Sequence, residues 1–75
     1  MKELVEIIAK SLVDNPDDVV VNETSDDSTI NIELTVAPDD MGKVIGKGGR
    51  IAKSIRTVVK AAASKGDKKV IVDIR

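Results

Sequence analysis

Residues 44–51 of this 75-residue chain read Val-Ile-Gly-Lys-Gly-Gly-Arg-Ile, and the interpretation of the whole sequence starts from them. Three of the four residues from Gly46 to Gly49 are glycines. Glycine adopts positive φ readily and has no Cβ, so the main chain at such a turn can approach a ligand closely. Because Lys47 lies inside the turn and Arg50 follows it, the stretch predicts a loop that holds the phosphates of a nucleic-acid backbone.

Both sides of this turn have helical patterns. Pro38-Asp39-Asp40 predicts the start of a short helix that ends at Ile45, with an aspartate as its cap. Arg50–Lys65 predicts a longer helix that Gly66 caps. At 100° per residue this helix has an apolar face and, opposite it, a cationic face. The apolar positions are Ile51, Ile55, Val58, Val59 and Ala62, and the cationic ones are Arg50, Lys53, Arg56 and Lys60.

The remaining segments predict one more helix and three strands. An apolar stripe predicts a helix over Lys2–Val13, and alternating apolar residues predict strands over Thr29–Val36 and Lys69–Ile74. The β-branched stretch Val19–Thr24 predicts the remaining strand, which the polar turn at residues 25–28 joins to its partner. The element order is αββααβ. It predicts an α+β fold: a three-stranded mixed sheet with three helices on one face, in which a two-helix crossover joins parallel neighbours.

Composition restricts the class of protein. The length fits one domain over residues 1–75, and the chain has neither Cys nor His to serve as a thiolate or imidazole ligand or as a catalytic base. Acidic pairs such as Asp17-Asp18 are at turn positions and are weak evidence for catalysis. We therefore expect a non-enzymatic, cytoplasmic protein with no cofactor or bound metal, and with no membrane-spanning segment.

The net charge of −1 hides a division along the chain. Residues 1–42 contain 2 basic and 11 acidic side chains, a net charge of −9, whereas residues 43–75 contain 10 basic and 2 acidic ones, a net charge of +8. A division of this kind indicates a surface for a polyanion, although charge balance and solubility also account for it.

Two other phosphate-binding motifs are excluded by spacing. Gly42 and the Gly46-Lys47 pair are one residue too close for a mononucleotide P-loop, and Gly48 stands where a Ser or Thr would hold magnesium. The dinucleotide fingerprint needs a third glycine after Gly49 and a preceding strand, and neither is predicted here.

Ile45-Gly46-Lys47-Gly48-Gly49-Arg50, between a short helix and a longer one, resembles the Gly-x-x-Gly motif of K-homology (KH) RNA-binding domains. The αββααβ order is similar to the type II KH fold. Over essentially its whole length the chain resembles the small bacterial single-KH RNA-binding proteins of the KhpA type. This resemblance implies that the loop holds about four nucleotides of single-stranded RNA.

The RNA-binding residues that we expect lie within one short segment of the chain. Lys47 and Gly48 offer backbone N–H groups and an ammonium to phosphate, and Arg50 lies at the positive end of the next helix. Ile45 and Ile51 are placed either in the core or in an apolar groove, and Arg56 and Lys60 either contact RNA or are only solvated. The predicted RNA-binding residues are Ile45, Gly46, Lys47, Gly48, Gly49, Arg50 and Lys53.

The chain has no Phe, Tyr or Trp, so bases cannot stack on an aromatic side chain. A single copy is therefore expected to bind RNA weakly and with broad specificity. The resemblance implies a homodimer, pairing with a larger KH-containing protein, and a role as a post-transcriptional regulator or RNA chaperone. The alternative function is a dimerisation or scaffold module with a KH fold, for which RNA binding is incidental.

Overall fold

The structure of the chain is a computed structural model that describes residues 1–63, 66 and 68–75. Its elements follow the predicted αββααβ order, with single 3₁₀ turns at Pro16–Asp18, Pro38–Asp40 and Lys47–Gly49. The helices are α1 (Lys2–Leu12), α2 (Met41–Ile45) and α3 (Arg50–Ala62), and the strands are β1 (Val20–Ser25), β2 (Thr29–Thr35) and β3 (Lys69–Ile74).

The sheet has the order β1-β2-β3, with β2 in the centre. β1 and β2 are antiparallel, with Val21 opposite Leu34, and β2 and β3 are parallel, with Ile32 opposite Val72. The parallel pair is joined through α2 and α3, as a crossover requires. The prediction of a mixed three-stranded α+β sheet is confirmed, and the arrangement is that of a type II KH fold.

The β1–β2 hairpin depends on one aspartate. Asp26 Oδ1 accepts the backbone N–H groups of Ser28 at 2.8 Å and Thr29 at 2.7 Å. Aspartate commonly closes turns in this way because its short carboxylate reaches N–H groups two or three residues ahead. The bond from Ser28, followed by that from Thr29, lowers the pKa of the Asp26 carboxyl.

One face of the sheet and the helices enclose the core. Ile32 and Leu34 of β2 are fully buried beneath Val5 of α1 and Val59 of α3. This burial confirms the alternation expected for β2. The other buried apolar side chains are Ala9, Val21, Val36, Val44, Ala52, Ile55, Val70 and Val72.

The core-facing side of α3 is rotated from the predicted one. Ala52, Ile55 and Val59 are buried, whereas Val58 is 47% exposed and Ala62 is exposed. The prediction was wrong for Val58 and Ala62 because helical angles alone do not show which part of an apolar face the sheet covers. This leaves apolar surface on the side of α3 that faces α1.

The end of α3 also differs from the prediction. The helix is capped by Ala63, whose N–H bonds to the Val59 carbonyl at 3.0 Å. Gly66 does not have positive φ and is not the cap, because Ala63 ends the helix without a left-handed residue. Ser64 and Lys65, the last residues of the predicted helix, lie outside the described residues.

The opposite face of the sheet is mostly polar and open to solvent. Val20 and Ile71 are its exposed apolar side chains, at 49% and 36%. Over residues 1–63, 66 and 68–75, no helix combines the length and the apolar character needed to span a bilayer.

Candidate nucleic-acid interface

Residues Gly46–Gly49, which we call the glycine loop, form one tight turn between α2 and α3. The Gly46 N–H closes α2 by bonding to the Gly42 carbonyl at 2.9 Å, and the Gly49 N–H bonds to the Gly46 carbonyl at 3.1 Å. Within residues 1–63, 66 and 68–75, the backbone hydrogen bonds of the turn do not include the N–H groups of Lys47 and Gly48. These two donors are therefore free to bind an anion.

The three glycines all have positive φ, but they lie in two different regions of φ/ψ space. Gly46 has φ 76° and ψ 173°, a region that is essentially restricted to glycine. Gly48, with φ 64° and ψ 19°, and Gly49, with φ 77° and ψ 13°, lie in the left-handed helical region, which Asn and Asp also tolerate. A Cβ on Gly48 or Gly49 would have no neighbour within 4 Å. The outer part of the loop is thus open to a ligand.

Cationic side chains continue from this open side along α3. Lys47, Arg50 and Lys53 are all exposed, and Arg50 is the first residue of the helix. No ion pair among the described residues engages any of the three. The positive end of the α3 dipole adds to their attraction for phosphate. Lys47 lies in the glycine loop itself, and Arg50 and Lys53 lie within the first four residues of the helix that follows it.

The two apolar residues of the predicted site have different environments. Ile45 and Ile51 are both half-buried, and Ile51 packs against the core and the position of Gly46. Ile51 is thus at least partly a core residue, whereas Ile45 ends α2 immediately before the loop. Both lie next to the glycine loop.

The sequence left open whether Arg56 contacts RNA or is only solvated, and in the structure its side chain has a hydrogen-bond partner within the protein. Its Nε donates a hydrogen bond to the Val72 carbonyl of β3 at 3.2 Å. This bond joins the Arg56 side chain to β3, although the residue as a whole is exposed. Lys60, one turn further along α3, is exposed.

A second polar group near the loop was not foreseen. Asp39 or Asp40 was expected to cap α2; Asp40 holds the N-cap position, but no side chain makes a capping bond there. Its carboxylate instead accepts N–H groups of Asp14 at 3.2 Å and Asn15 at 3.0 Å, and the Asn15 side-chain amide at 3.0 Å. Asp40 is only 1% exposed. The capping prediction was therefore wrong for the Asp40 side chain, because a distant loop offers it more donors.

Lys43 belongs to the same group. Its ammonium donates to the Asp14 carboxylate and lies 3.7 Å from Asp40 Oδ1. The hydrogen bond to Asp14 is the main reason that the pKa of Lys43 is raised. Burial alone would raise the pKa of Asp40, but the donors of Asn15 and Asp14, together with Lys43, outweigh it and leave that pKa below its ordinary value. Lys43 is thus bound to carboxylates and is not a free cation of the interface.

An apolar groove lies beside the interface, between α1 and α3. It has a volume of about 300 Å³, and Ile51 forms part of its wall next to the glycine loop. From the sequence, the pairing surface was expected to be whatever part of Ile55, Val58, Val59 and Ala62 the sheet leaves uncovered; Ile55 and Val59 are buried, and Val58 and Ala62 are exposed. The groove is lined by Ile8, Leu12, Ile51, Ser54, Ile55 and Val58.

A positive-φ glycine turn between two helices, on a type II fold, defines a KH-domain protein. Residues 2–74 match the family described as "KhpA/KhpB, KH domain", and the chain belongs to that family. It is 72% identical to the "RNA-binding protein KhpA" of Clostridium perfringens and 65% identical to that of Clostridium acetobutylicum. Both alignments cover 99% of this chain and 99% of the relative. No solved structure matches the chain.

Proposed function

We propose that this protein binds single-stranded RNA by its sugar-phosphate backbone, through Ile45, the glycine loop, Arg50 and Lys53. The observation that carries the proposal is the glycine loop itself, in which the hydrogen bonds of the turn leave out the N–H groups of the exposed residues Lys47 and Gly48, with the exposed cations Arg50 and Lys53 following in α3. The names of the relatives, RNA-binding proteins of the same length, support the same function.

We assign each residue of the site its own contact with the RNA. The N–H groups of Lys47 and Gly48 bind one phosphate together with the Lys47 ammonium. Arg50, at the start of α3, binds the next phosphate, and Lys53 lies one turn further along the same face. Ile45 and Ile51 supply the apolar surface for the bases. Because the contacts are mainly to the RNA backbone, binding depends little on the RNA sequence.

We further propose the biological setting. The chain acts as a single, non-enzymatic KH domain in the cytoplasm, as a post-transcriptional regulator or RNA chaperone. The absence of aromatic residues limits the affinity of one copy, since stacking contributes about 1 to 3 kcal/mol per base in proteins that use it. Two linked copies raise the effective affinity without any new contact.

The apolar groove between α1 and α3 is the surface that we propose for self-association. Val58 on its wall is 47% exposed, and Ile8 and Leu12 of α1, which form the facing wall, are half-buried. Burial of such side chains drives association between subunits. The family description names both KhpA and KhpB, which supports a larger KH-containing protein as an alternative occupant of the groove.

A pair of double variants tests the RNA-binding proposal. Lys47→Asp/Gly48→Asp introduces two carboxylates, and Lys47→Asn/Gly48→Asn has nearly the same shape without the charge. Asn and Asp both tolerate the left-handed conformation of Gly48, and a Cβ there meets no atom within 4 Å. Both variants should therefore fold, which circular dichroism checks.

We expect the Asp pair to weaken binding of a dye-labelled oligouridylate by more than about tenfold, because it replaces attraction for phosphate by repulsion. The Asn pair should have an intermediate affinity. Unchanged affinity in the folded Asp variant would contradict the proposal and favour the scaffold function instead. In that case complexes of the chain with its protein partner should also survive RNase treatment.

A further inference from the structure

Asp40 is the one buried charged side chain among the described residues, and RNA binding as proposed above does not use it. Both of its carboxylate oxygens are occupied. Oδ1 accepts the Asp14 N–H, and Oδ2 accepts the backbone and side-chain N–H groups of Asn15. A buried carboxylate is tolerated only when donors of this kind replace its hydration.

The partners of Asp40 belong to a different part of the chain. Asp14 and Asn15 follow the end of α1 and lie 25 to 26 residues earlier in the sequence. Lys43 of α2 adds a second connection to the same loop through Asp14. The loop after α1 is therefore joined to the start of α2 by a carboxylate and an ion pair.

The hydrogen bonds of Asp40 and the Lys43–Asp14 ion pair lie at the start of α2, and the glycine loop lies at the end of the same short helix. α2 begins at the residue after Asp40 and has only five residues, so it is about 7.5 Å long. A helix this short has almost no stability of its own, and its position depends on what holds it. Val44, which is fully buried, and Met41, which packs against the core, anchor α2 by apolar contact, and Asp40 anchors its start through hydrogen bonds. Gly46 follows the last residue of α2 directly.

We propose that Asp40 is a positioning residue of the RNA clamp: its carboxylate ties the loop after α1 to the start of α2 and thereby sets the place of the glycine loop. The inference depends on the proposed RNA binding only for its functional consequence. The position of the loop itself is measurable without RNA.

Asp40→Asn is the test variant, since it keeps the size of the side chain but presents an amide NH₂ where two oxygens accept N–H groups. Asp39→Asn is its matched control, because Asp39 is the exposed neighbour and loses the same charge. Asn15→Ala is a milder second variant that removes only the side-chain donor to Asp40.

The first readout is the set of backbone amide signals of the glycine loop in NMR spectra without RNA. We expect Asp40→Asn to shift the signals of Gly46, Gly48 and Gly49 while those of β1 stay in place, and Asn15→Ala to cause smaller shifts in the same direction. A role limited to stability would leave these signals unchanged in the folded protein. Asp39→Asn should not move them.

The second readout is oligouridylate affinity under conditions in which every variant is folded. We expect a loss of about tenfold for Asp40→Asn, since one misplaced binding group commonly has an effect of this size or larger, and no change for Asp39→Asn. Unmoved loop signals in folded Asp40→Asn overturn the inference, and if that variant does not fold, unmoved signals in Asn15→Ala do so. Shifted signals in a protein that does not bind RNA overturn the proposed function and leave the positioning role standing.

Discussion

A Cβ atom on Gly46 would lie 2.6 Å from Cγ1 of Ile51, closer than real atoms of this kind approach. Ile51 packs on the core through the first turn of α3, so it cannot move away freely. The first glycine of the loop is therefore required by packing as well as by its backbone angles. The loop and the core of the domain are in direct contact at this point.

Gly46→Ala is accordingly expected to destabilise the fold by about 3 kcal/mol, since an unfavourable φ/ψ region and an overpacked contact add together. Gly48→Ala is expected to lose about 1 kcal/mol, because only the left-handed conformation is unfavourable and the space around it is empty. Urea unfolding followed by circular dichroism measures both, as the chain has no aromatic residue to fluoresce. Equal losses in the two variants would contradict the role given to Ile51.

The pH dependence of stability should report on Asp40. Its pKa is lowered in the folded protein from an ordinary value of 3.8, so the unfolded chain takes up the proton first as the pH falls. The stabilisation is complete above about pH 4 to 5 and is lost as the pH falls through the lower, folded pKa. The charged groups that face Asp40 are Asp14 and Lys43.

Asp40→Asn should therefore have a flatter decline of unfolding free energy below about pH 4 than the unsubstituted protein. Asp26 and Glu6, whose pKa values are also lowered, continue to supply the remaining slope. Urea unfolding at a series of pH values makes the comparison. Parallel curves would mean that the hydrogen bonds to Asp40 contribute nothing to the acid sensitivity.

The salt dependence of RNA binding tests how many phosphates are held. If about three phosphates are neutralised, the slope of log affinity against log salt is about −2 for a single strand. Lys47→Gln should reduce the size of that slope by about 0.7. Lys10→Gln removes the same charge on α1, where Lys10 pairs with Glu6, and should leave the slope unchanged. A slope that is equal in both variants would exclude the Lys47 ammonium from phosphate contact.

Self-association through the groove is tested with two valines of equal exposure. Val58 lines the groove and is 47% exposed, whereas Val20, on the open face of the sheet, is 49% exposed. We expect Val58→Asp to give a monomer in sedimentation velocity and Val20→Asp to keep the dimer. A monomer from Val20→Asp and a dimer from Val58→Asp would place the interface on the sheet instead.

Local patterns in the sequence were sufficient to predict much of this fold. The alternation of β2, the stripe on α1 and the glycines between α2 and α3 each act over a few residues, so they predicted the element order and the parallel pairing of β2 with β3. The cations Arg50, Lys53, Arg56 and Lys60 were predicted to lie on the face of α3 opposite its apolar face, and all four are exposed.

Interactions between distant parts of the chain could not be predicted in this way. Asp40 has the residue type and position of a helix cap, yet its partners are 25 and 26 residues away. Lys43 and Arg56 belong to the basic residues of the stretch 43–75, and the sequence shows no partner for either. In the structure Lys43 bonds to Asp14, and Arg56 bonds to the Val72 carbonyl. In each of these cases a partner that is remote in the sequence determines the position of the charged side chain.

The parallel pairing of β2 with β3 also has a consequence during protein synthesis. The glycine loop lies within the connection between these strands, and α3 packs on β3, which follows the loop by some twenty residues. Pairings of this kind are non-local and form late in folding. We therefore expect the glycine loop of a nascent chain to reach its final geometry only after β3 has left the ribosome and paired with β2.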